Sequence, residues 1–166
     1  MSAPPLEWQS GFVRARRKDV HPLLADVVAY ESWWPGVESR AGEHGTDLRW
    51  RGLLGDQRLR VRVRRTRPLR GVELALDGAF VGTAEWYYLD APSGVVVSYL
   101  LRATTPRKGA RRRLRQHRTA VRNGLLGLKA RLEGSRLTGA EPDPRLLAGL
   151  RHDRAEPGAP LAEAGF

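Results

Sequence analysis

The sequence predicts an α+β fold in which a bent antiparallel sheet of about six to seven strands wraps round one long C-terminal helix. From Val37 to Ala103, apolar and polar residues alternate with a period of two, as in strands that bury one face. From Gly109 to Leu137, the apolar residues recur at helical spacing instead. A sheet with one apolar face must be covered, and this helix is the only predicted element long enough to cover it.

The N-terminal part predicts one strand and short helical segments. The strand falls in EWQSGFVRAR and the first helix in KDVHPLLADVVAY. We expect Asp19 to cap that helix and Pro22 to lie in its first turn, where a missing N–H is tolerated. Pro35 ends the helical region, because a proline disfavours helical geometry in the residue before it.

Two adjacent tryptophans, Trp33 and Trp34, stand immediately before that proline. Neighbouring residues on a helix point about 100° apart. We therefore expect the two indoles to diverge, one packing on the sheet and the other reaching the rim of a cavity.

The middle of the chain predicts two hairpins. In QRLRVRVRR, the residues Leu59, Val61 and Val63 face one way and the arginines between them face the other. VELALDG forms the second strand of this hairpin, which places Glu73 and Asp77 beside the arginine stripe. FVGTAEWYYL and GVVVSYLLRA form the other hairpin, with a turn at DAPSG.

The final helix carries one apolar stripe. Its members are Leu114, Val121, Leu125, Leu128 and Leu132. Gly124 and Gly127 interrupt the helix, and each glycine costs about 1 kcal/mol relative to alanine in a helix interior. Two glycines beside the apolar stripe indicate close approach to a packed strand or to an open space.

Composition limits the class of protein. The 166 residues include no cysteine, which excludes disulfide scaffolds, zinc ribbons and thiol nucleophiles and is typical of the cytoplasm. Neither a secretory leader nor an apolar run long enough to cross a membrane is visible. We expect one domain at residues 1–137 and a tail rich in Pro, Gly and Ala at residues 138–166.

The net charge of +11 is concentrated in one segment. Between Arg102 and Arg131 there are eleven basic residues and no acidic one, and the rest of the chain is balanced. A block of one sign indicates an anionic partner or a solvated positive face. The candidate anion-binding residues are Arg111, Arg112, Arg113 and Arg115. The segment has no aromatic residues for base stacking, which argues against binding of single-stranded nucleic acid.

Three stretches together resemble the START-like superfamily, also called SRPBCC, which includes polyketide cyclase/dehydrase proteins. They are VHPLLADVVAYESWWPGV, GTAEWYYLDAPSGVVVSYLLRA and GLLGLKARLE, and the resemblance covers roughly residues 8–136. It implies the helix-grip fold, with an apolar cavity between the sheet and the C-terminal helix. It also implies an apolar small-molecule or lipid ligand. Some members of that family cyclise or dehydrate bound polyketides, and some associate with ribosomes. The strongly basic final helix and the tail depart from the family's pattern.

Given such a cavity, the inward faces of the predicted elements supply its lining. The candidate ligand contacts are Trp34, Trp50, Phe80, Trp86, Tyr88, Tyr99, His117 and Val121. This set is mostly apolar with few polar groups, as small-molecule sites are. Ordinary core packing is the alternative for each aromatic residue.

His117 is the candidate catalytic residue, because a neutral imidazole can move a proton during enolisation. It or Arg118 would stand near the mouth of the cavity, and neighbouring arginines would keep His117 neutral. Tyr88 or Tyr99 would orient a carbonyl group. A solvated histidine on a basic helix is the alternative.

Three functions therefore stay open. They are binding of an apolar small molecule or lipid, polyketide cyclisation or dehydration, and binding of an anionic membrane or RNA through the final helix. No nucleotide-binding or hydrolase motif is present, and the four histidines lack metal-ligand spacing. We predict neither a metal nor a cofactor. The sequence leaves the ligand and the oligomeric state undetermined.

Overall fold

The computed structural model describes residues 6–52, 55–105 and 108–137, with side chains described between residues 7 and 134. Its strands are β1 Leu6–Val13, β2 Val37–Gly42, β3 Gly45–Trp50, β4 Gln57–Arg67, β5 Gly71–Gly78, β6 Val81–Ala91 and β7 Gly94–Thr104. Its helices are α1 Arg17–Ala25, a short 3₁₀ helix Val27–Ser32, and α2 Ala110–Leu137. The strands form an antiparallel sheet in the order β1-β7-β6-β5-β4-β3-β2, which curls round α2. The predicted α+β helix-grip architecture is confirmed.

The hairpin of β4 and β5 shows how the alternating sequence makes two faces. Leu59 and Val61 are buried, whereas the arginines between them are exposed. Across the outer face, Arg64 pairs with Glu73 at 3.2 Å, as the alternation predicts. The pairing register shifts just after Val63, which is 43% exposed although its position predicts an inward side chain. The inward face of β4 therefore ends before Val63.

Helix α1 begins earlier than the sequence indicates. Arg16 precedes its first residue, and Asp19 lies within the first turn, where its carboxylate pairs with Arg16 at 3.1 Å. The prediction that Asp19 caps the helix is therefore wrong. Its negative charge still suits the positive end of the helix dipole. Pro22 lies in the second turn rather than the first, at the cost of one backbone hydrogen bond.

Helix α2 buries the predicted stripe against the sheet. Val121, Leu125 and Leu128 belong to the hydrophobic core, and Leu114 and Leu132 pack at its edge. At its far end, α2 also supports β1. The Lys129 ammonium donates to the Phe12 carbonyl at 3.3 Å, and Glu133 accepts from the backbone N–H of Arg14 at 3.0 Å.

Gly124 and Gly127 of α2 contact the segment that contains the paired tryptophans. A Cβ at Gly124 would lie 2.7 Å from the Trp34 ring, and one at Gly127 would lie 2.6 Å from Cδ of Pro35. What approaches the helix is thus neither a strand nor an open space. Trp33 and Trp34 are both 4% exposed, so the prediction that they diverge is wrong. Trp33 has φ −135° and ψ −17°, outside helical geometry, so helical spacing does not apply to the pair.

The predicted tail at residues 138–166 lies outside the described residues, and the domain boundary at Leu137 stays a prediction. Within residues 6–52, 55–105 and 108–137, no helix combines the length and apolar character that crossing a bilayer would require.

Candidate functional site

The eight predicted ligand contacts are all buried. Most of their rings pack on one another. Ring centroids are 6.4 Å apart for Trp34 and Trp50, and 4.7 Å apart for Trp86 and Tyr99. The His117 ring lies 5.5 Å from Trp50. We call the group of Tyr30, Trp33, Trp34, Trp50, Phe80, Trp86, Tyr99 and His117 the aromatic cluster.

Two tyrosines of the predicted site are hydrogen bonded to histidines. The Tyr99 hydroxyl lies 2.9 Å from Nε2 of His117, and the Tyr88 hydroxyl lies 2.7 Å from Nδ1 of His21. Burial raises the pKa of both tyrosines, so both hydroxyls stay protonated. Tyr88 or Tyr99 is predicted to orient a carbonyl group, and the structure brings Tyr99 beside His117. It gives Tyr88 a different partner.

His117 is 2% exposed rather than solvated. Burial lowers its pKa to about 4, so the imidazole is neutral at pH 7. The neutral state agrees with the prediction, but its cause is desolvation and not the neighbouring arginines. Its Nδ1 has no hydrogen-bond partner among the described residues. Arg118 turns away from the cluster, and its Nε donates to Glu7 on β1 at 3.0 Å.

A cavity of about 380 Å³ opens beside the aromatic cluster, between α2 and the neighbouring ends of β3 and β4. We call it the α2 cavity. Its apolar wall is formed by Pro35, Trp50 and Ala120. Polar and cationic groups surround that wall, and they are Arg51, Gln57, Arg112, Arg115, Gln116, Thr119 and Asn123. None of the described residues that line the cavity is acidic.

A chain of hydrogen bonds runs along the base of the α2 cavity. The Trp50 indole N–H donates to Oε1 of Gln57 at 3.0 Å, and Nε2 of Gln57 donates to Oε1 of Gln116 at 2.6 Å. Nε2 of Gln116 is buried and has no acceptor among the described residues. Gln57 itself is 2% exposed.

Other cavities differ in their walls. One of about 650 Å³ lies among charged residues of β2, β3 and β4, where the carboxylates of Glu38 and Asp47 already pair with arginines. One of about 190 Å³ adjoins the α2 cavity and shares Gln57, Arg112 and Gln116 with it. Among these cavities and one of about 400 Å³ near Ala79, Trp50 is the only predicted ligand contact that forms a wall.

The four predicted anion-binding arginines lie in the first two turns of α2. Arg111, Arg112 and Arg115 are exposed, and Arg113 is half-buried. Arg112 and Arg115 face the α2 cavity, whereas Arg113 lines the neighbouring cavities. A metal site is not indicated, because no group of three or more His, Asp or Glu side chains converges within the described ranges.

Sequence reasoning missed Gln57 and Gln116. Gln57 has the same parity along β4 as Leu59 and Val61, so a polar residue at an inward position was visible in the pattern. Gln116 lies outside the apolar stripe of α2, and nothing in its spacing distinguishes it from a solvated residue. Its role depends on contact with Gln57, which is 59 positions away in the chain.

Comparison with known proteins finds similarity in three dimensions only. No family model and no curated protein sequence matches the chain. The aromatase/cyclase Zhui from Streptomyces sp. R1128 is similar in structure, with a TM-score of 0.65 at 16% identity, over 81% of this chain and 96% of that one. A START superfamily protein from Mycobacterium smegmatis has a TM-score of 0.62 at 13% identity, over 78% and 97%. A conserved protein from Geobacillus kaustophilus has a TM-score of 0.63 at 14% identity, over 79% and 97%.

The structural matches cover nearly the whole length of each of these neighbours. At identities of 13–16% they establish a shared fold and no more. With the strand order and the helix that the sheet surrounds, these likenesses lead to one conclusion: the chain has a helix-grip fold, similar to that of a START superfamily protein and of an aromatase/cyclase.

Proposed function

We propose that this protein binds a small molecule with an apolar body in the α2 cavity. The observation that carries the proposal is the make-up of that cavity. Pro35, Trp50 and Ala120 supply the apolar part of its lining, and polar side chains supply the rest. Its volume of about 380 Å³ suits a small ligand. START-like neighbours, one of them an aromatase/cyclase, support a ligand-binding role for the fold.

The aromatic cluster has a supporting role in this proposal. Trp34 stacks nearly parallel to Trp50, with 9° between the ring planes, and its indole N–H donates to the Ala120 carbonyl at 2.7 Å. Both contacts fix residues of the apolar wall. A rigid wall loses little conformational entropy when a ligand binds. Most of the predicted ligand contacts would then shape the cavity from behind rather than touch the ligand.

The experiment is a titration with N-phenyl-1-naphthylamine, an uncharged aromatic probe that becomes fluorescent in apolar surroundings. We expect saturable binding to the wild-type protein. Thr119 is exposed and lines the cavity, so Thr119→Trp should fill the space and raise the Kd about tenfold or more. Ala130→Trp is the matched control, because Ala130 is exposed on the same helix and lines none of the cavities above. Absence of binding, or equal Kd values in all three proteins, would contradict the proposal.

Cyclisation or dehydration of a bound polyketide is a second candidate, favoured by the hydrogen bond between His117 and Tyr99. His117 touches the back of Trp50 rather than the α2 cavity itself, so a substrate would have to displace that indole. The test is the product profile from a polyketide substrate with wild-type protein and with His117→Ala. An unchanged profile would remove His117 as the proton-transfer group.

A further inference from the structure

We propose that the ligand of the α2 cavity carries an anionic group, so that the protein selects anionic amphiphiles over neutral molecules of the same shape. This inference rests on the proposed function and specifies its ligand class. It comes from the hydrogen-bonding direction of the cavity's polar groups and from their charge.

The direction of the hydrogen-bond chain is fixed at its first member. An indole N–H can only donate, so the atom of Gln57 that faces Trp50 must be the carbonyl oxygen Oε1. The amide nitrogen of Gln57 then faces the other way, where it also lies 3.4 Å from the Arg113 carbonyl. It donates to Oε1 of Gln116.

The last group in the chain is therefore a donor. Gln116 lines the α2 cavity, and with its Oε1 engaged by Gln57, its buried Nε2 amide group has no acceptor among the described residues. A buried donor without an acceptor is unfavourable, because the hydrogen bond that it would make to water is not replaced. A ligand oxygen that accepts from this amide would replace that hydrogen bond. The chain thus favours an acceptor over a donor in the ligand.

The charges of the cavity agree with that polarity. Arg51, Arg112 and Arg115 face it, and no acidic residue is among the described residues of its lining. Glu38, which is not among the residues that line the cavity, places its Oε1 2.8 Å from a guanidinium nitrogen of Arg51. In the adjoining cavity the carboxylate of Asp56 is bound to Arg49 at 2.9 Å, and this hydrogen bond holds the pKa of Asp56 below its usual value. Guanidinium groups beside an apolar wall suit a carboxylate, sulfonate or phosphate on an apolar body.

The geometry favours a free small molecule over a flat anionic surface. Gln116 is partly buried, and Trp50 is 4% exposed at the base of the cavity. A flat surface that touches the exposed guanidinium groups would not contact either of them. A single molecule that enters the cavity can contact the apolar wall, the amide donor and an arginine together.

The test compares two probes that differ by one anionic group. They are 8-anilinonaphthalene-1-sulfonate and its uncharged parent, N-phenyl-1-naphthylamine. We expect the sulfonate to bind about tenfold or more tightly than the parent at low ionic strength. Its affinity should fall as salt is added, whereas that of the parent should not. Thr119→Trp should raise the Kd of both probes, and that result would place both in the α2 cavity.

Two variants test the source of the preference. Arg115→Gln should raise the Kd of the sulfonate about tenfold and that of the parent much less. Arg122→Gln is the matched control, because Arg122 is exposed on the same helix, carries the same charge and lines none of the cavities above. Gln116→Glu keeps an oxygen that can accept from Gln57 but replaces the unpaired amide donor by a negative charge. It should also raise the Kd of the sulfonate more than that of the parent.

The outcomes separate the inference from the proposed function. If the parent binds in the α2 cavity and the sulfonate binds no tighter, the proposed function stands and the inference is overturned. Equal losses in Arg115→Gln and Arg122→Gln would also overturn it, because the preference would then come from the overall field of the protein. If neither probe binds, or Thr119→Trp affects neither, the proposed function fails and the inference with it.

Discussion

His117 shows, at the scale of one residue, how burial sets the charge state of a side chain. It lies on the most basic helix of the described chain, yet it is 2% exposed and faces Trp50, Phe80 and Tyr99. Burial lowers its pKa to about 4, whereas the unfolded chain holds it near the ordinary value of about 6.5. The folded state therefore binds fewer protons than the unfolded state between those two pH values.

This difference predicts a loss of stability in acid. As the pH falls from about 6.5 to about 4, His117 takes up a proton in the unfolded chain but not in the folded protein. Acidification therefore stabilises the unfolded state and reduces the free energy of unfolding. Between pH 7 and pH 4.5 the loss should be about 2–3 kcal/mol. Urea unfolding of wild type and His117→Gln at both pH values measures it. The variant lacks the buried imidazole, so its free energy of unfolding should fall less on acidification. Carboxylates titrate in both proteins and cancel in the comparison. Equal losses would contradict the prediction.

At the scale of elements, the contact of α2 with the Trp33–Pro35 segment fixes the position of the helix against that segment. Backbone and ring atoms of this segment occupy the space that side chains at Gly124 and Gly127 would need. The Trp34 indole also donates to the helix at Ala120. The two glycines weaken α2 as an isolated helix and permit this contact.

Alanine substitution at the three glycines of the described part of α2 should separate these effects. Gly124→Ala and Gly127→Ala should each lower the free energy of unfolding by about 1–3 kcal/mol, because a Cβ would overlap Trp34 or the Trp33–Pro35 backbone. Gly134 has nothing within 4 Å of the corresponding position. Gly134→Ala should raise stability by up to about 1 kcal/mol through helix propensity alone. Urea titrations measure all three, and stabilisation by Gly124→Ala or Gly127→Ala would show that the segment is not packed there.

At the scale of the whole molecule, the net charge of +11 and its concentration near α2 produce an asymmetric positive field. The arginines of the sheet's outer face are partly neutralised by acidic neighbours, such as Asp47 beside Arg60 at 3.0 Å and Glu85 beside Arg67 at 3.1 Å. The first turns of α2 carry four arginines and no acidic residue. An anionic membrane or RNA that meets this protein would be drawn towards that end.

This asymmetry predicts salt-sensitive association with anionic vesicles. The protein should sediment with phosphatidylglycerol vesicles at low ionic strength and dissociate at about 0.5 M salt. Reversal of Arg112, Arg113 and Arg115 to Glu should reduce binding about tenfold or more. Reversal of Arg58, Arg62 and Arg65, on the outer face of the sheet, changes the net charge equally and should reduce it less. Wild-type protein that fails to bind at low salt would refute docking through α2.

Much of the fold can be predicted, because the periodic spacing of apolar residues and the pattern of charge are properties of single elements. Most inward positions of β4 to β7 follow from alternation, with Val63 as an exception, and Trp86 and Tyr99 are buried as that pattern requires. The candidate site is less predictable. The alternation selects residues that face inward, but it cannot distinguish a side chain packed in the core, such as Trp86, from one such as Trp50 that also forms a cavity wall.

The sequence by itself determined the helix-grip architecture, the buried stripe of α2 and the location of the positive charge. The architecture follows from the order of the predicted elements, and the other two follow from the residues along one helix. Only the tertiary structure decided that the Trp34 ring packs on Gly124 and the Trp33–Pro35 segment on Gly127. It also decided that His117 is buried in the core, and that the hydrogen bonds from Trp50 through Gln57 leave the Gln116 amide as an unpaired donor among the described residues. Each of these depends on the distance between residues far apart in the chain. Periodicity contains no information about such distances, because it describes one element at a time.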